Sequence, residues 1–134
     1  MKHFLRVCSV LGLLVVVSTV MWGQSTGGAI QGTVVDPSGA VLSGATVTAR
    51  NMGTGATSTA TTTSAGVYAL PNLPPGSYAV TAQATGMKKY VQEGITVSTN
   101  STVGLDLQLQ LGSATETVTV TSDATQLETE TSDV

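Results

Sequence analysis

The chain has 134 residues, 41% hydrophobic and 10% charged, with a formal net charge of −3 and one each of Cys, His, Trp and Phe. A single cysteine excludes a disulfide-stapled scaffold. Five Lys+Arg against eight Asp+Glu exclude the clustered positive charge that phosphate backbones require.

Residues 1–23 read as a secretory signal peptide. Lys2, His3 and Arg6 precede an apolar run over 7–21 broken only by Ser9, Ser18 and Thr19, which is a charged region followed by a hydrophobic one. Small residues after the run place the cleavage at Gly23 before Gln24. Cys8 lies within the run rather than at its end, where a lipid-modified first residue would stand. No later stretch approaches the roughly 20 apolar residues of a spanning helix, so the chain is expected to leave the cytoplasm by export. Cleavage would remove Cys8, His3, Trp22 and Phe4 and leave three Lys+Arg against eight Asp+Glu, a net charge of −5.

From residue 28 apolar residues alternate with Thr, Gln and Gly, the pattern of half-buried strands, and helical periodicity is absent. Strands are expected over 29–35 and 45–50, separated by Asp36-Pro37-Ser38-Gly39 with the residue placement of a type I turn. A turn at Asn51-Met52-Gly53-Thr54-Gly55 leads to a β-branched strand over 58–63. After Ser64-Ala65-Gly66 come a strand over 67–70, a rigid connection over 71–76, and a strand over 77–82 with Tyr78, Val80 and Ala82 on one face. Residues 86–93 read as a polar crossing, followed by strands over 94–97 and 102–111. In the last, Val103, Leu105, Leu107, Leu109 and Leu111 alternate with polar residues, so one face is apolar and the other wet. Short strands at this spacing imply an all-β fold, a single sandwich of about seven strands in the Ig-like or prealbumin-like manner. Its domain would span 24–112. Residues 113–134 turn to Thr, Ser, Glu and Asp, and 123–134, with four acids and no base, has the composition of a disordered acidic tail.

The strings GAIQGTVVDPSGAVLSGATVTA (28–49) and AGVYALPNLPPGSYAVTAQATGMKK (65–89) resemble the carboxypeptidase regulatory-like domains, relatives of collagen-adhesin repeats and starch-binding-like sandwiches with a carbohydrate-binding-like fold. The resemblance implies that Gly32, Gly39, Gly44, Gly66 and Gly76 serve turns or close approaches, and that Tyr68 and Tyr78 anchor the core. Where the family pattern has Asp or Asn three residues before Gly66, this chain has Thr63. Adhesin-type relatives can carry a Lys-Asn crosslink; the first strand here contains no lysine to form one.

Beyond the sandwich, Glu116-Thr117-Val118-Thr119-Val120-Thr121-Ser122 is similar to the TonB box of outer-membrane transporters, which runs acid, Thr, apolar, any residue, Val, Thr, small. Such a segment is captured by strand addition, with main-chain hydrogen bonds giving affinity and alternate side chains giving specificity. The competing interpretation is a last strand of the sandwich or a Thr-rich linker. Signal peptide, sandwich and box in this order resemble the N-terminus of Oar-like TonB-dependent receptors, and this resemblance implies a location in the periplasm or at the periplasmic face of the outer membrane. The partner implied is a TonB-like periplasmic protein, or the plug and barrel that follow such a segment and are not within these 134 residues.

Catalysis is not expected. Without Cys or His in the mature chain no Ser-His or Cys-His pair can form, zinc lacks its preferred ligands, and Asp36, Asp106 and Asp123 lack calcium-loop spacing. No cofactor loop is visible. A carbohydrate-binding module is the alternative function; with Tyr68 and Tyr78 assigned to the core, Tyr90 is the remaining aromatic platform for a sugar.

Overall fold

The computed structural model describes residues 27–122, together with Met1 and His3. Apart from those two residues, the predicted signal peptide and the acidic tail at 123–134 lie outside the described residues. Residues 27–122 form strands and turns without a helix.

Among the described residues nine strands run in order: β1 Gly28–Val35, β2 Thr46–Asn51, β3 Thr57–Thr61, β4 Val67–Leu73, β5 Gly76–Gln83, β6 Lys89–Val97, β7 Thr102–Gly104, β8 Leu107–Gln108 and β9 Thr117–Thr121. One sheet has the order β4-β1-β7, with β8 also on β1; the other has the order β3-β2-β5-β6-β9. The expected sandwich is present, with nine strands in place of about seven.

The period of two explains the packing. Ile30 and Val34 of β1, Tyr68 and Leu70 of β4, and Leu107 and Leu109 face Val47 and Ala49 of β2, Tyr78, Val80 and Ala82 of β5, and Ile95 and Val97 of β6 in one continuous core. Tyr78 and Tyr68 anchor it as expected, each 2% exposed. Their phenols stay satisfied at the margins, Tyr78 Oη donating to the Pro74 carbonyl at 2.7 Å and Tyr68 Oη to the Leu105 carbonyl at 2.7 Å.

Turn chemistry follows the sequence closely. Asp36 Oδ1 accepts from the Ser38 and Ala40 amides at 2.8 and 3.0 Å, and the Gly39 amide closes the turn on the Asp36 carbonyl at 3.0 Å. Asn51, itself buried, caps the β2–β3 hairpin by accepting from the Gly53 and Thr54 amides at 2.9 and 3.0 Å. Thr63 takes the place of the family Asp or Asn: its Oγ1 accepts from the Ala65 and Val67 amides, both at 3.3 Å.

Three expectations about the strands are corrected. The connection over 71–76 is strand as far as Leu73. Among the described residues β4 pairs only with β1, so the missing N–H of Pro71 falls on an edge strand, where proline is tolerated. The register shift between Gly28 and Ile30 opposite Leu73 and Leu70 accommodates the extra residue, with Asn72 at φ 56°. The polar crossing over 86–93 becomes strand from Lys89, because β6 has strand neighbours on both sides and half-exposed faces that tolerate Lys, Gln and Glu. Finally, the strand expected over 102–111 is broken into β7 and β8, both parallel to β1. Leu107 and Leu109 are fully buried as the alternation requires, whereas Val103 and Leu105 are half-buried and Leu111 is 67% exposed. The chain has by then left β1 and bridges to Met87.

Candidate functional site

The break between β7 and β8 forms around Gly32. A Cβ at this position would lie 1.9 Å from the Leu105 carbonyl oxygen, so the close approach requires glycine. Asp106 then replaces the lost ladder, its Oδ1 accepting from both the Thr33 amide and Thr33 Oγ1 at 2.9 Å. These bonds, the main-chain one foremost, hold the Asp106 carboxyl below the usual aspartate range. Burial, with the Asp106 charge and Tyr90 adding to it, pushes the Tyr68 phenol well above its ordinary value. The ionised Asp106 carboxylate, accepting two bonds from Thr33, and the Tyr68 phenol, donating to the Leu105 carbonyl, together clasp this segment to β1 and β4. Among the described residues no three His, Cys, Asp or Glu side chains group closely enough to hold a metal ion.

The box-like segment is the second distinctive feature. Its residues 117–121 form β9, the outermost strand of the five-stranded sheet, parallel to β6 with Thr117 opposite Lys89, Val118 opposite Tyr90, Thr119 opposite Val91, Val120 opposite Gln92 and Thr121 opposite Glu93. The route to this edge is specific. Lys88 N–H donates to the Gln110 carbonyl at 2.7 Å, the Gly112 amide to the Gly86 carbonyl at 3.1 Å, and the Glu116 amide to the Ser113 carbonyl at 3.0 Å, turning the chain onto β6.

Both ends of β9 are fastened. At the start, the Lys89 amide donates to the Glu116 carbonyl at 2.9 Å, and Lys88 Nζ lies 3.1 Å from Glu116 Oε2. At the end, the Ser122 amide donates to the Glu93 carbonyl at 3.1 Å and Gln92 Nε2 to Ser122 Oγ at 3.1 Å. The pairing stops at a bulge: β6 uses Gln92 to Ile95 where β5 uses only Val80 to Tyr78, and Gly94 takes φ 77°, which favours glycine.

Two rows of side chains cross the sheet toward this edge. One runs Val47, Ala82, Tyr90, Val118 and the other Ala49, Val80, Gln92, Val120. The first two members of each row are fully buried, Tyr90 and Val118 are half-buried, and Val120 is 39% exposed. The valines of the box therefore lie on the inner face where the sheet overhangs its partner, and Thr117, Thr119 and Thr121 lie on the exposed outer face.

Tyr90, the sugar-platform candidate, is brought into the same row. It packs against the core, and its hydroxyl donates to Gln92 Oε1 at 3.0 Å; burial raises its pKa. Its cross-strand neighbours in the sheet are Val118 and Ala82. The involvement of Lys88, Gln92 and the Glu93–Gly94 bulge was not anticipated from the sequence. Pairing of β6 with partners 28 residues later, as Lys89 with Thr117, leaves no local signal.

Strands β2 to β8, nearly all of β1, the Asp36 turn and the Gly32 approach lie inside the region over which the model of the carboxypeptidase regulatory-like domain matches, residues 29–110. The chain belongs to that family. The match ends before β9, so the regulatory-like domain is followed, within one continuous sheet, by a strand outside the family's span. Among solved structures, the Bacillus anthracis TIE protein is similar over 64% of this chain and 17% of its own, at 27% identity and a TM-score of 0.54. A candidate carbohydrate-binding protein from Bacteroides uniformis is similar over 61% of this chain and 40% of its own, at 18% identity and a TM-score of 0.51. The regulatory-like domain thus spans well under half the length of either neighbour, and the second likeness establishes the sandwich fold alone. Comparison with curated proteins gave no match.

Proposed function

We propose that this regulatory-like domain is a non-catalytic exported module, the periplasmic N-terminal extension of a TonB-dependent outer-membrane receptor. Its residues 116–122 are the segment handed to a TonB-like periplasmic protein. The observation that carries this reading is the state of the segment: it is extended, it follows the family domain directly, and it sits at a sheet edge. Strand addition needs a segment that readily takes β geometry and whose main chain can be offered to a partner's sheet. Five β-branched residues in succession, Thr117 to Thr121, meet the first need. The absence of Pro and Gly from 116–122 meets the second.

The test is capture of the periplasmic TonB domain by a peptide covering residues 113–123, with Val120→Pro as the control, since proline removes a main-chain donor. The native peptide is expected to retain the domain and the proline peptide to lose it. Equal retention, or none by either, defeats the assignment.

Carbohydrate binding is the alternative, favoured by Tyr90, which is an aromatic ring at the rim of the sandwich. Its packing against the core and its bond to Gln92 leave only part of the ring for a sugar. Affinity electrophoresis in starch, xylan and chitin decides it: unretarded migration in all three counts against a sugar site.

A further inference from the structure

In a parallel ladder each residue turns both its main-chain groups toward the same neighbour, and successive residues alternate sides. The bonds at the two ends of β9, from Lys89 N–H to Glu116 and from Ser122 N–H to Glu93, set the phase. Val118 and Val120 therefore direct their N–H and C=O groups at Lys89, Val91 and Glu93 of β6, and Thr117, Thr119 and Thr121 direct theirs outward. The valine side chains lie on the inner face beside Tyr90 and Gln92. In the docked strand, the backbone groups and side chains of the two apolar box positions are both engaged by the sandwich itself.

We propose that residues 117–121 are a cis latch: the β6 edge holds them in the place that an incoming strand acceptor would take, so a partner captures the segment only as it leaves β6. The proposal rests on the strand-addition reading above and adds an intramolecular competitor to it. The latch is built to open. β9 contributes no member of the buried core; its most covered residue is the half-buried Val118, and beside the main-chain bonds the side-chain fasteners at its ends are one partly exposed ion pair and one hydrogen bond. Exposed ion pairs of this kind hold weakly. A ligand that needs a fractionally populated open state binds with its affinity reduced by that fraction.

The experiment uses the full chain and Val91→Pro. Val91 aims its N–H at β9, whereas Tyr90 and Gln92 face β5, so proline at 91 weakens the β6–β9 ladder and spares the β5–β6 bonds; the box itself is unaltered. Main-chain amide exchange, corrected for intrinsic rates, is expected to show Val118 and Val120 at least about tenfold slower than Thr119 in the native chain. In Val91→Pro that contrast should disappear while Val80 of β5 stays protected. Val118 and Val120 exchanging as fast as Thr119 in the native chain overturns the latch. In binding to the TonB domain, Val91→Pro is expected to be at least about fivefold tighter than the native chain and to approach the free 113–123 peptide. Equal affinity of the two chains, with the peptide still captured, overturns the latch alone; no capture of peptide or either chain defeats the receptor assignment and the competition together.

Discussion

At Gly32 the fold depends on an absent side chain. The Leu105 carbonyl occupies the space a methyl group would need, and Tyr68 Oη donates to that same carbonyl while Asp106 grips Thr33 next door. Gly32→Ala must push the β7–β8 break away from β1 and disturb all three contacts, a cost of about 3 kcal/mol or more by the standards of overpacked sites. Gly104→Ala, a position with no heavy atom within 4 Å of the added Cβ, is the matched control and should cost well under that. Chemical unfolding of the two variants checks the difference; equal midpoints would mean that the β7–β8 segment yields freely. Gly32 was legible in the sequence as a family glycine, but its partner, 73 residues later at Leu105, was not. Only the register of β1 against β7 reveals which atom fills the gap.

Among the elements, β9 differs from the others. Every other strand of its sheet is continuous with the region the family model covers, and all but β3 place at least one residue in the buried core. Ending the chain after Gly112 should therefore leave a folded sandwich. The loss is the half-burial of Val118 and one edge ladder, about 1 kcal/mol, which corresponds to a fall in Tm of a few degrees for a domain of this size. Thermal unfolding of the shortened chain checks this, and a chain that no longer unfolds cooperatively would show that β9 is integral to the domain. The shortened chain also bares the β6 edge, so increased self-association is expected with it. The element also explains why two readings of 116–122 stood side by side in the sequence: a captured segment and a terminal strand need the same β-branched, glycine-free residues, and of the two the structure shows the strand paired with β6.

Across the whole molecule, the two clasping aspartates both act on β1. Asp36 closes the turn at its end, chiefly through the Ser38 hydroxyl, and Asp106 holds its middle through Thr33; both carboxyls titrate below the ordinary value. The sign follows from the direction of the shift. A carboxyl whose folded pKa is depressed adds stability that is fully present above its unfolded pKa of about 3.9 and lost as pH falls through the folded value. Asp106→Asn keeps an acceptor for Thr33 but no charge, so it should be less stable than the native chain at neutral pH, with the gap closing under acid. Urea midpoints from about pH 7 to about pH 2 measure this; parallel curves for the two proteins would show that the Asp106 charge contributes nothing.

The sequence by itself determined the all-β class, the alternation that buries Tyr78, Val80, Ala82, Leu107 and Leu109, the turns at Asp36 and Asn51, and the extended character of 116–122. Each of these depends on residues a few positions apart, and period-two patterning and turn chemistry are local properties. The tertiary structure alone decided that Pro71 lies within an edge strand, that Lys89 to Glu93 is strand rather than crossing, and that the leucine run breaks at Asp106 and releases Leu111. It also decided which edge receives Thr117 to Thr121. Those outcomes depend on which strand lies alongside which, and strand pairing joins residues far apart in the chain through main-chain groups that every residue shares.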